Sequence, residues 1–228
     1  MEGAATAGGE GTALAGIPGE ATGVDIDGMA VRLWRAVGLE AFVDRRALLS
    51  AATPSEPPYW MHLWPGAMAV ARRIASAVEV GPGARVLELG CGLALPALVA
   101  ARRGAAVVAS DWKREPLRFA ARSAALNGCA LGLVQMDWTT PALGRAFEVC
   151  IGADIGYDLD AQNALVQALG QLVAPGGVAC LADSVNTARS TLAARCAAAG
   201  LAVDSEDVRE WEEGRPVWVR LLTARRPR

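Results

Sequence analysis

From Arg85 onward, short runs of apolar residues alternate with longer segments in which apolar residues recur at helical spacing. The short runs are continuously apolar, which is typical of strands buried on both faces of a parallel sheet. The predicted strands are RVLEL, AAVVAS, LGLVQM, FEVCIGA, GVACLAD, GLAVDSEDVRE and PVWVRLLTA, and the predicted helices are one that ends at Ala101 and three over 115–127, 160–173 and 187–199.

The last two strands lie close together in the sequence, because only WEEGRP separates them. A connection of this length is too short for a parallel crossover, so the two strands must form an antiparallel hairpin. The pattern therefore predicts an α/β fold with a Rossmann-like, seven-stranded, mostly parallel sheet. The sheet ends in an antiparallel hairpin and has helices on both faces.

The part of the chain before Arg85 follows a different pattern. VDIDGMAVRLWRAV alternates around Asp27 and Gly28, which predicts a short hairpin or an extended arm. Pro65 and Gly66 mark the start of a helix in which small and apolar residues recur at helical spacing. We therefore expect a flexible Gly/Ala-rich tail over 1–23, an extension with this helix over 24–79, and the α/β domain over 80–228.

Composition and charge narrow the classes of function. The chain has 228 residues, of which 53% are hydrophobic, enough to bury the core of one domain. Its formal net charge of −2 gives no support for nonspecific attraction to nucleic acid or membranes. The sequence has no uncharged apolar run of membrane-spanning length, and its start lacks the basic and apolar regions of a signal peptide, so we expect neither a membrane span nor a signal peptide. We expect a cytoplasmic protein.

The cysteines and the histidine do not indicate a metal site. The five cysteines are widely spaced without a CxxC pair, so we expect reduced thiols. His62 is the only histidine, and no second soft ligand lies at a useful spacing from it. We expect His62 to belong to an aromatic cluster with one ring nitrogen hydrogen-bonded.

The turn after the first predicted strand of the sheet, ELGCGLALP, is rich in glycine. In an open parallel sheet, ligands bind beyond the carboxyl ends of the strands near the point where the strand order reverses. A dinucleotide fingerprint would require glycine where Leu95 stands, and the lysine of a P-loop is missing. Glu88 at the mouth of the turn would repel a pyrophosphate but suits a cationic group.

Acidic residues also end the next two predicted strands. Asp111 lies about 20 residues after the turn, the position from which a carboxylate accepts the hydroxyls of a ribose. Asp137 ends the following strand and is placed to accept from an adenine amino group. Three successive strands that end in an acid, without a phosphate-binding group, fit an adenosyl cofactor that carries a cation.

The ExGxG turn, the acid after the second strand and the DW after the third resemble the class I, seven-stranded S-adenosylmethionine methyltransferases. The resemblance covers roughly Pro57 to Ala224, with Ala94 where the family has a third glycine. It implies S-adenosylmethionine as cofactor, with either Trp112 or Trp138 on the adenine. The residues that it assigns to the cofactor are Trp64, Glu88, Gly90, Cys91, Gly92, Asp111, Trp112, Asp137 and Trp138.

Two stretches resemble one branch of this family. PPYWMHLWPGAMA is similar to the segment before the cofactor turn in the family 16 protein-lysine methyltransferases, whose Trp-Pro pair, here Trp64 and Pro65, packs beside the cofactor. GADIGYD is similar to their DxxY motif, matched by Asp154 and Tyr157. The lysine methyltransferases of the electron transfer flavoprotein β subunit are similar members. Those enzymes have a proline-glycine run where this chain has ADSVNTARS, which leaves the substrate side open.

The resemblance implies N-methylation of a lysine side chain in a protein substrate, possibly that flavoprotein subunit, by a monomer. Asp154 would orient the amine or take its proton, Tyr157 would shape the opening, and Trp60 and Asp183 would contact the substrate. Asp154 can instead be a helix cap, and the tryptophans can be core residues. Two other functions stay open: methylation of a small-molecule amine or other metabolite, and a noncatalytic binding module on the same fold.

Overall fold

The computed structural model describes residues 13–14, 16–38, 58–144, 147–156, 159–184 and 191–228. Within these ranges, no helix is both long enough and apolar enough to cross a membrane. The strands are β1 (Gly19–Ile26), β2 (Met29–Ala36), β3 (Arg85–Leu89), β4 (Ala106–Asp111), β5 (Gly132–Gln135), β6 (Phe147–Ala153), β7 (Val173–Ser184), β8 (Ala202–Glu212) and β9 (Arg215–Arg225). The helices are α1 (Pro65–Ser76), α2 (Leu95–Arg102), α3 (Arg114–Leu126), α4 (Leu159–Leu172) and α5 (Leu192–Ala198).

Seven strands form one sheet in the order β5-β4-β3-β6-β7-β9-β8. The pairs from β5 to β7 are parallel, and β9 runs antiparallel to both β7 and β8. The chain enters the sheet at β3, adds β4 and β5 on one side, and then crosses to β6 and β7 on the other. This reversal opens a crevice at the carboxyl ends of the central strands. The predicted fold class is confirmed.

Both faces of the sheet are buried, which explains why the strand sequences are continuously apolar. Val86 and Ile151 face the layer that contains α1, α2 and α3, whereas Leu87 and Leu89 face the layer of α4 and α5. Between β5 and β6 the described residues contain no helix. The segment 136–144 packs there through Met136, Trp138 and Leu143, which brings Trp138 to the crevice.

Strands β1 and β2 pair as an antiparallel hairpin around Asp27 and Gly28, as predicted. Both turn residues have positive φ, at 51° and 89°, as a two-residue hairpin turn with a right-handed twist requires. The structure differs from the expected tail over 1–23, because β1 already begins at Gly19. The rest of that segment, apart from 13–14 and 16–18, and the first part of the helix expected over 187–199 lie outside the described residues.

The side chain of Asn127, at the end of α3, binds the backbone of β2 as a neighbouring strand would. It accepts a hydrogen bond from the Arg32 amide at 2.9 Å and donates to the Arg32 carbonyl at 2.6 Å. The Ser123 hydroxyl accepts from the Trp34 amide at 2.9 Å. Polar side chains of α3 therefore fix the hairpin on the helical layer.

Replacing Asn127 with alanine should destabilise the protein by about 1–2 kcal/mol, because the amide and the carbonyl of Arg32 lose their partners together. Urea unfolding followed by circular dichroism measures the change. Asn163→Ala is the matched control, since Asn163 is exposed on α4 and its side chain accepts a hydrogen bond from the Arg195 side chain at the surface. Equal losses in the two variants would contradict the assigned role of Asn127.

Candidate active site

A cavity of about 390 Å³ lies at the carboxyl ends of β3, β4, β6 and β7. Its volume is within the range of about 300–1,000 Å³ that is usual for ligand pockets. Most of the residues predicted from the sequence meet at its wall. Those that line it are Trp60, Trp64, Glu88, Gly90, Cys91, Gly92, Asp111, Trp112, Trp138, Asp154 and Asp183.

The turn between β3 and α2 has three residues in the left-handed region: Gly90 at φ 59°, Gly92 at 48° and Ala94 at 57°. A Cβ atom on Gly90 would lie 2.7 Å from Ile155 and 3.1 Å from the Trp138 ring. Glycine is therefore required at position 90 both by the backbone angle and by the close approach. Ala94 adopts the left-handed conformation that the family's third glycine would take without strain.

The carboxylate of Asp111 fixes this turn from the neighbouring strand. Its Oδ2 accepts a hydrogen bond from the Gly92 amide at 3.1 Å, and its Oδ1 accepts from the Lys113 amide at 3.0 Å. The side chain is almost completely buried. Since each carboxylate oxygen has two lone pairs, Asp111 can still accept hydroxyl groups of a ligand.

Glu88 ends β3 beneath the turn and is 2% exposed. Its Oε2 accepts a hydrogen bond from the Ala97 amide at 3.0 Å. Ala97 lies in the first turn of α2, where backbone amides lack partners within the helix and carry partial positive charge. Glu88 therefore lines the cavity and caps a helix at the same time.

Asp154 follows β6 in a left-handed conformation, with φ 54°. Its amide donates to the Ala182 carbonyl at 2.8 Å. Its carboxylate lies against the start of α1, since a Cβ atom on Gly66 would be only 2.2 Å from Asp154 Oδ2. The absence of a side chain at Gly66 therefore allows the carboxylate to reach the cavity wall.

Asp183 holds the segment that follows Asp154. Its Oδ1 accepts from the Gly156 amide at 3.3 Å, and Gln162 donates to the Gly156 carbonyl at 2.7 Å. A Cβ atom on Gly156 would lie 2.6 Å from Asp183 Oδ2. Two carboxylates from adjacent strands, at Asp154 and Asp183, are thus fixed on the same side of the cavity.

Aromatic side chains form the part of the wall next to Gly92 of the turn, where an added Cβ atom would lie 3.4 Å from the Trp60 carbonyl oxygen. Trp60 makes an edge-to-face contact with Phe119 at 4.9 Å, so it both packs in the core and lines the cavity. Trp64 donates to the Tyr59 carbonyl at 3.0 Å. His62 packs on Trp64 at 4.6 Å, and its Nε2 lies 3.2 Å from a Glu212 carboxylate oxygen. The expected aromatic cluster around His62 is confirmed.

Two predicted site residues are not in this lining. Asp137 is exposed, and its Oδ1 accepts from the Thr139 amide at 2.8 Å, so its carboxylate serves its own turn instead of the cavity. Tyr157 lies outside the described residues. Conversely, the cavity includes ten residues that sequence analysis did not assign to it, among them Tyr59, His62, Lys113 and Ile155. Each of the ten lies within three positions of an assigned residue, which is the only signal that the sequence offered.

Comparisons with known proteins agree with this geometry. A family model for a methyltransferase domain matches residues 86–177. The electron transfer flavoprotein beta subunit lysine methyltransferase of Danio rerio is 46% identical over 59 residues, which are 25% of this chain and 23% of that protein. The solved structure of the cyclase SpnF has a TM-score of 0.60 and 17% identity, covering 70% of this chain and 80% of that one.

This chain therefore contains a methyltransferase domain over residues 86–177. A second relative, the histone-arginine methyltransferase METTL23 of Mus musculus, is 37% identical over 73 residues, which are 31% of this chain and 29% of that protein. The matched segments thus span about a quarter of the length of these two curated relatives. The similarity to SpnF concerns the fold alone. The fold and the matched domain imply S-adenosylmethionine as the methyl donor.

The cavity of the methyltransferase fits this donor. Among the described residues that line it, only Lys113 carries a permanent positive charge, whereas Glu88 and Asp111 are buried carboxylates. These groups disfavour a pyrophosphate and suit an adenosine that carries a cationic sulfur. In the part of the chain that the structure describes, no group of three or more His, Cys, Asp or Glu side chains is placed to hold a metal ion.

Burial controls the protonation of the groups beneath the turn. It raises the pKa of Glu88 well above the ordinary value of 4.5. The hydrogen bond from the Ala97 amide lowers this pKa, whereas the negative charge of Asp111 raises it further. Burial also raises the pKa of Asp111, although its backbone hydrogen bonds oppose this. Burial, with Glu88 and Asp111 nearby, raises the pKa of the Cys91 thiol well above its ordinary value. Cys91 is therefore a neutral small residue of the turn and not a nucleophile.

Glu88→Gln should gain stability relative to the wild type as pH rises above the ordinary glutamate pKa of 4.5 in the absence of ligand. Because folding raises the pKa of Glu88, the folded wild type binds more protons than the unfolded state, and it loses stability as pH rises from that value through the raised pKa. The glutamine keeps an oxygen for the Ala97 amide but does not titrate. Urea unfolding at several pH values measures the difference.

Glu148→Gln is the matched control for this experiment. Arg85 lowers the pKa of Glu148 at the surface, so this substitution should cost a small amount of stability that increases with pH. A pH-independent difference for Glu88→Gln would show that Glu88 is not the group that titrates.

Proposed function

We propose that this methyltransferase transfers a methyl group to the side-chain amine of a lysine in a protein substrate. The observation that carries the proposal is the pair of carboxylates, Asp154 and Asp183, fixed on one side of the donor's cavity. A negative pair at this place attracts a cationic amine and disfavours an acidic acceptor. The similarity to a lysine methyltransferase of a protein substrate supports the same acceptor class.

The donor would lie along the turn between β3 and α2. The Asp111 carboxylate would accept the ribose hydroxyls, the indoles of Trp112 and Trp138 would contact the adenine, and Glu88 would face the cationic part. When bound, S-adenosylmethionine supplies an electrophilic methyl group attached to a sulfonium. Gly90 and Gly92 allow the backbone to approach closely, and Trp64 would close the side next to α1.

The acceptor must be neutral before it attacks. A lysine with a pKa near 10.4 is neutral in only about one molecule in 2,500 at pH 7. Asp154 would orient the amine and accept its proton, directly or through water, while the aromatic wall removes the amine from bulk water. The remaining task is positioning, with the nitrogen held about 3–3.5 Å from the methyl carbon. Tyr157 would shape the opening through which the amine enters.

Arginine is the second candidate acceptor, because a relative is a histone-arginine methyltransferase. The fold by itself does not decide the reaction, since a protein with this fold is a cyclase. A small-molecule amine would need only the cavity, whereas a protein substrate also needs a surface beyond it. Acceptor identity therefore has to be measured.

Incubation of the protein with cell lysate and radiolabelled S-adenosylmethionine tests the proposal. We expect label in a protein band and methyl-lysine after acid hydrolysis of that band. Methyl-arginine in the band would overturn the lysine assignment, and label confined to small molecules would overturn the protein substrate. No donor binding at micromolar concentration would overturn the enzyme itself.

Two variants separate donor binding from transfer. Asp111→Ala should weaken the affinity for S-adenosylmethionine by about 100-fold or more, since hydrogen bonds to a charged group contribute about 1.5–3 kcal/mol each. Asp154→Asn should leave that affinity within about threefold and lower the transfer rate by about 100-fold. Isothermal titration calorimetry and label transfer give the two readouts. Full transfer by Asp154→Asn would remove Asp154 from the chemistry.

Gly66→Ala should lower the transfer rate by about tenfold or more without unfolding the protein, because the added Cβ displaces the Asp154 carboxylate. Gly170→Ala is the matched control: it lies within α4 with nothing within 4 Å of the added Cβ, and it should keep its activity. Normal transfer by Gly66→Ala would mean that the position of Asp154 does not matter.

A further inference from the structure

The hairpin of β8 and β9 extends beyond the edge of the sheet that carries the cavity. Within the described residues, which leave out 185–190, pairing of β7 with β9 extends to Ser184 and Val219, whereas β8 and β9 stay paired up to Glu212 and Arg215. Residues 209–212 and 215–218 therefore project past the carboxyl end of β7. His62, which lines the cavity, contacts this projecting part through Glu212.

One face of the projecting hairpin exposes two large aromatic side chains. Trp211 is 59% exposed and Trp218 is 55% exposed. Arg209 lies opposite Trp218 in the strand register, and its guanidinium is 5.7 Å from the Trp211 ring. The three side chains share a face because residues that are paired or two apart on a strand point the same way. We call Arg209, Trp211 and Trp218 the tip cluster.

A strip of surface joins the tip cluster to the cavity. Asp183 of the cavity wall, Arg220 and Asp207 occupy one register row across β7, β9 and β8. Arg220 binds Asp207 through two hydrogen bonds of 2.8 and 2.9 Å, and a side hollow of about 70 Å³ lies against Asp183 and Arg220. Trp218 lies two residues before Arg220 in β9, so its side chain is on the same face of the strand. The tip cluster is therefore continuous with the acceptor side of the cavity.

The two ends of the strip carry charges of opposite sign. The cavity end carries Asp154 and Asp183, which suit a cationic lysine. At the far end Arg209 makes a ring contact and, within the described part of the chain, no ion pair. A complementary ligand carries a lysine at one end and an apolar residue beside an acidic residue at the other. Tryptophan and arginine are also the residues that contribute most at protein interfaces.

The length of the strip selects a polypeptide over a small amine. From Asp183 to Trp211 the path crosses two strand spacings and runs four residues along a strand, or about 16 Å in a straight line. An extended peptide covers this distance in about five residues. We propose that the strip from Asp183 to the tip cluster docks the polypeptide that carries the target lysine, with an apolar-acidic anchor about three to five residues from it. This inference rests on the lysine methylation proposed above.

Methylation of synthetic peptides by the full-length protein tests the inference. Each peptide has one lysine in a Gly/Ser background. In the anchored peptides a Leu-Glu pair lies three to five residues before or after the lysine, and in the control peptides Ser-Ser replaces this pair. We expect the wild type to prefer an anchored peptide by about tenfold or more in kcat/KM. The double variant Trp211→Ser/Trp218→Ser should lose this preference while its donor affinity and its rate on the Ser-Ser peptide stay unchanged.

A charge swap sharpens the assignment. Arg209→Glu should shift the preference from Leu-Glu to Leu-Lys peptides, whereas Arg209→Lys should keep it. Val78→Ser is the matched control, since Val78 is 91% exposed in the connection between α1 and β3 and should behave as the wild type. Sedimentation at the assay concentration detects the competing possibility that the tip cluster joins two copies of the chain.

The possible outcomes distinguish failure of the docking surface from failure of the proposed lysine methylation. Equal rates on anchored and Ser-Ser peptides, or a preference that survives the double variant, would overturn the docking surface and leave lysine methylation intact. A dimer that dissociates only in the double variant, with peptide preference unchanged, would also overturn it. Methylation of small amines but of no peptide would overturn both proposals.

Discussion

Two buried carboxylates hold the turn on which the site is built. Asp111 binds the Gly92 amide from one side, and Glu88 binds the Ala97 amide from below. The first bond ties neighbouring strands at the crevice, and the second ties β3 to the start of α2. Gly90 and Gly92 supply the left-handed backbone that the turn needs, and the two bonds hold that turn against its neighbours.

This arrangement keeps negative groups where water does not reach them. Burial disfavours the charged form of both carboxylates, and only backbone amides offset the cost in the protein alone. A cationic ligand in the cavity adds the missing positive charge. The two buried carboxylates therefore destabilise the ligand-free protein, and the same burial makes the site favour a positively charged ligand. Such a loss of stability is common at functional sites.

The strands were predictable from the sequence because each is a continuous apolar run. The edge at which their acidic ends meet was predictable because the carboxyl ends of parallel strands lie at the same edge of a sheet. The position of Asp137 was not, since a carboxylate after a short edge strand can satisfy its own turn instead of a ligand. The contact of Gly66 with Asp154 joins residues distant in the sequence, and no local pattern encodes it. The packing of Trp138 was equally unpredictable, because it depends on the described residues between β5 and β6 forming no helix.

The tryptophans fall into three spatial groups. Trp60, Trp64, Trp112 and Trp138 line the cavity, Trp211 and Trp218 stand on the projecting hairpin, and Trp34 belongs to β2 of the N-terminal hairpin and is buried in a cluster with Phe119. Indole emission depends on the polarity and on the charges around the ring. The intrinsic fluorescence of this protein therefore contains separate optical reporters for the donor's cavity, for the outer hairpin and for the attachment of the N-terminal arm.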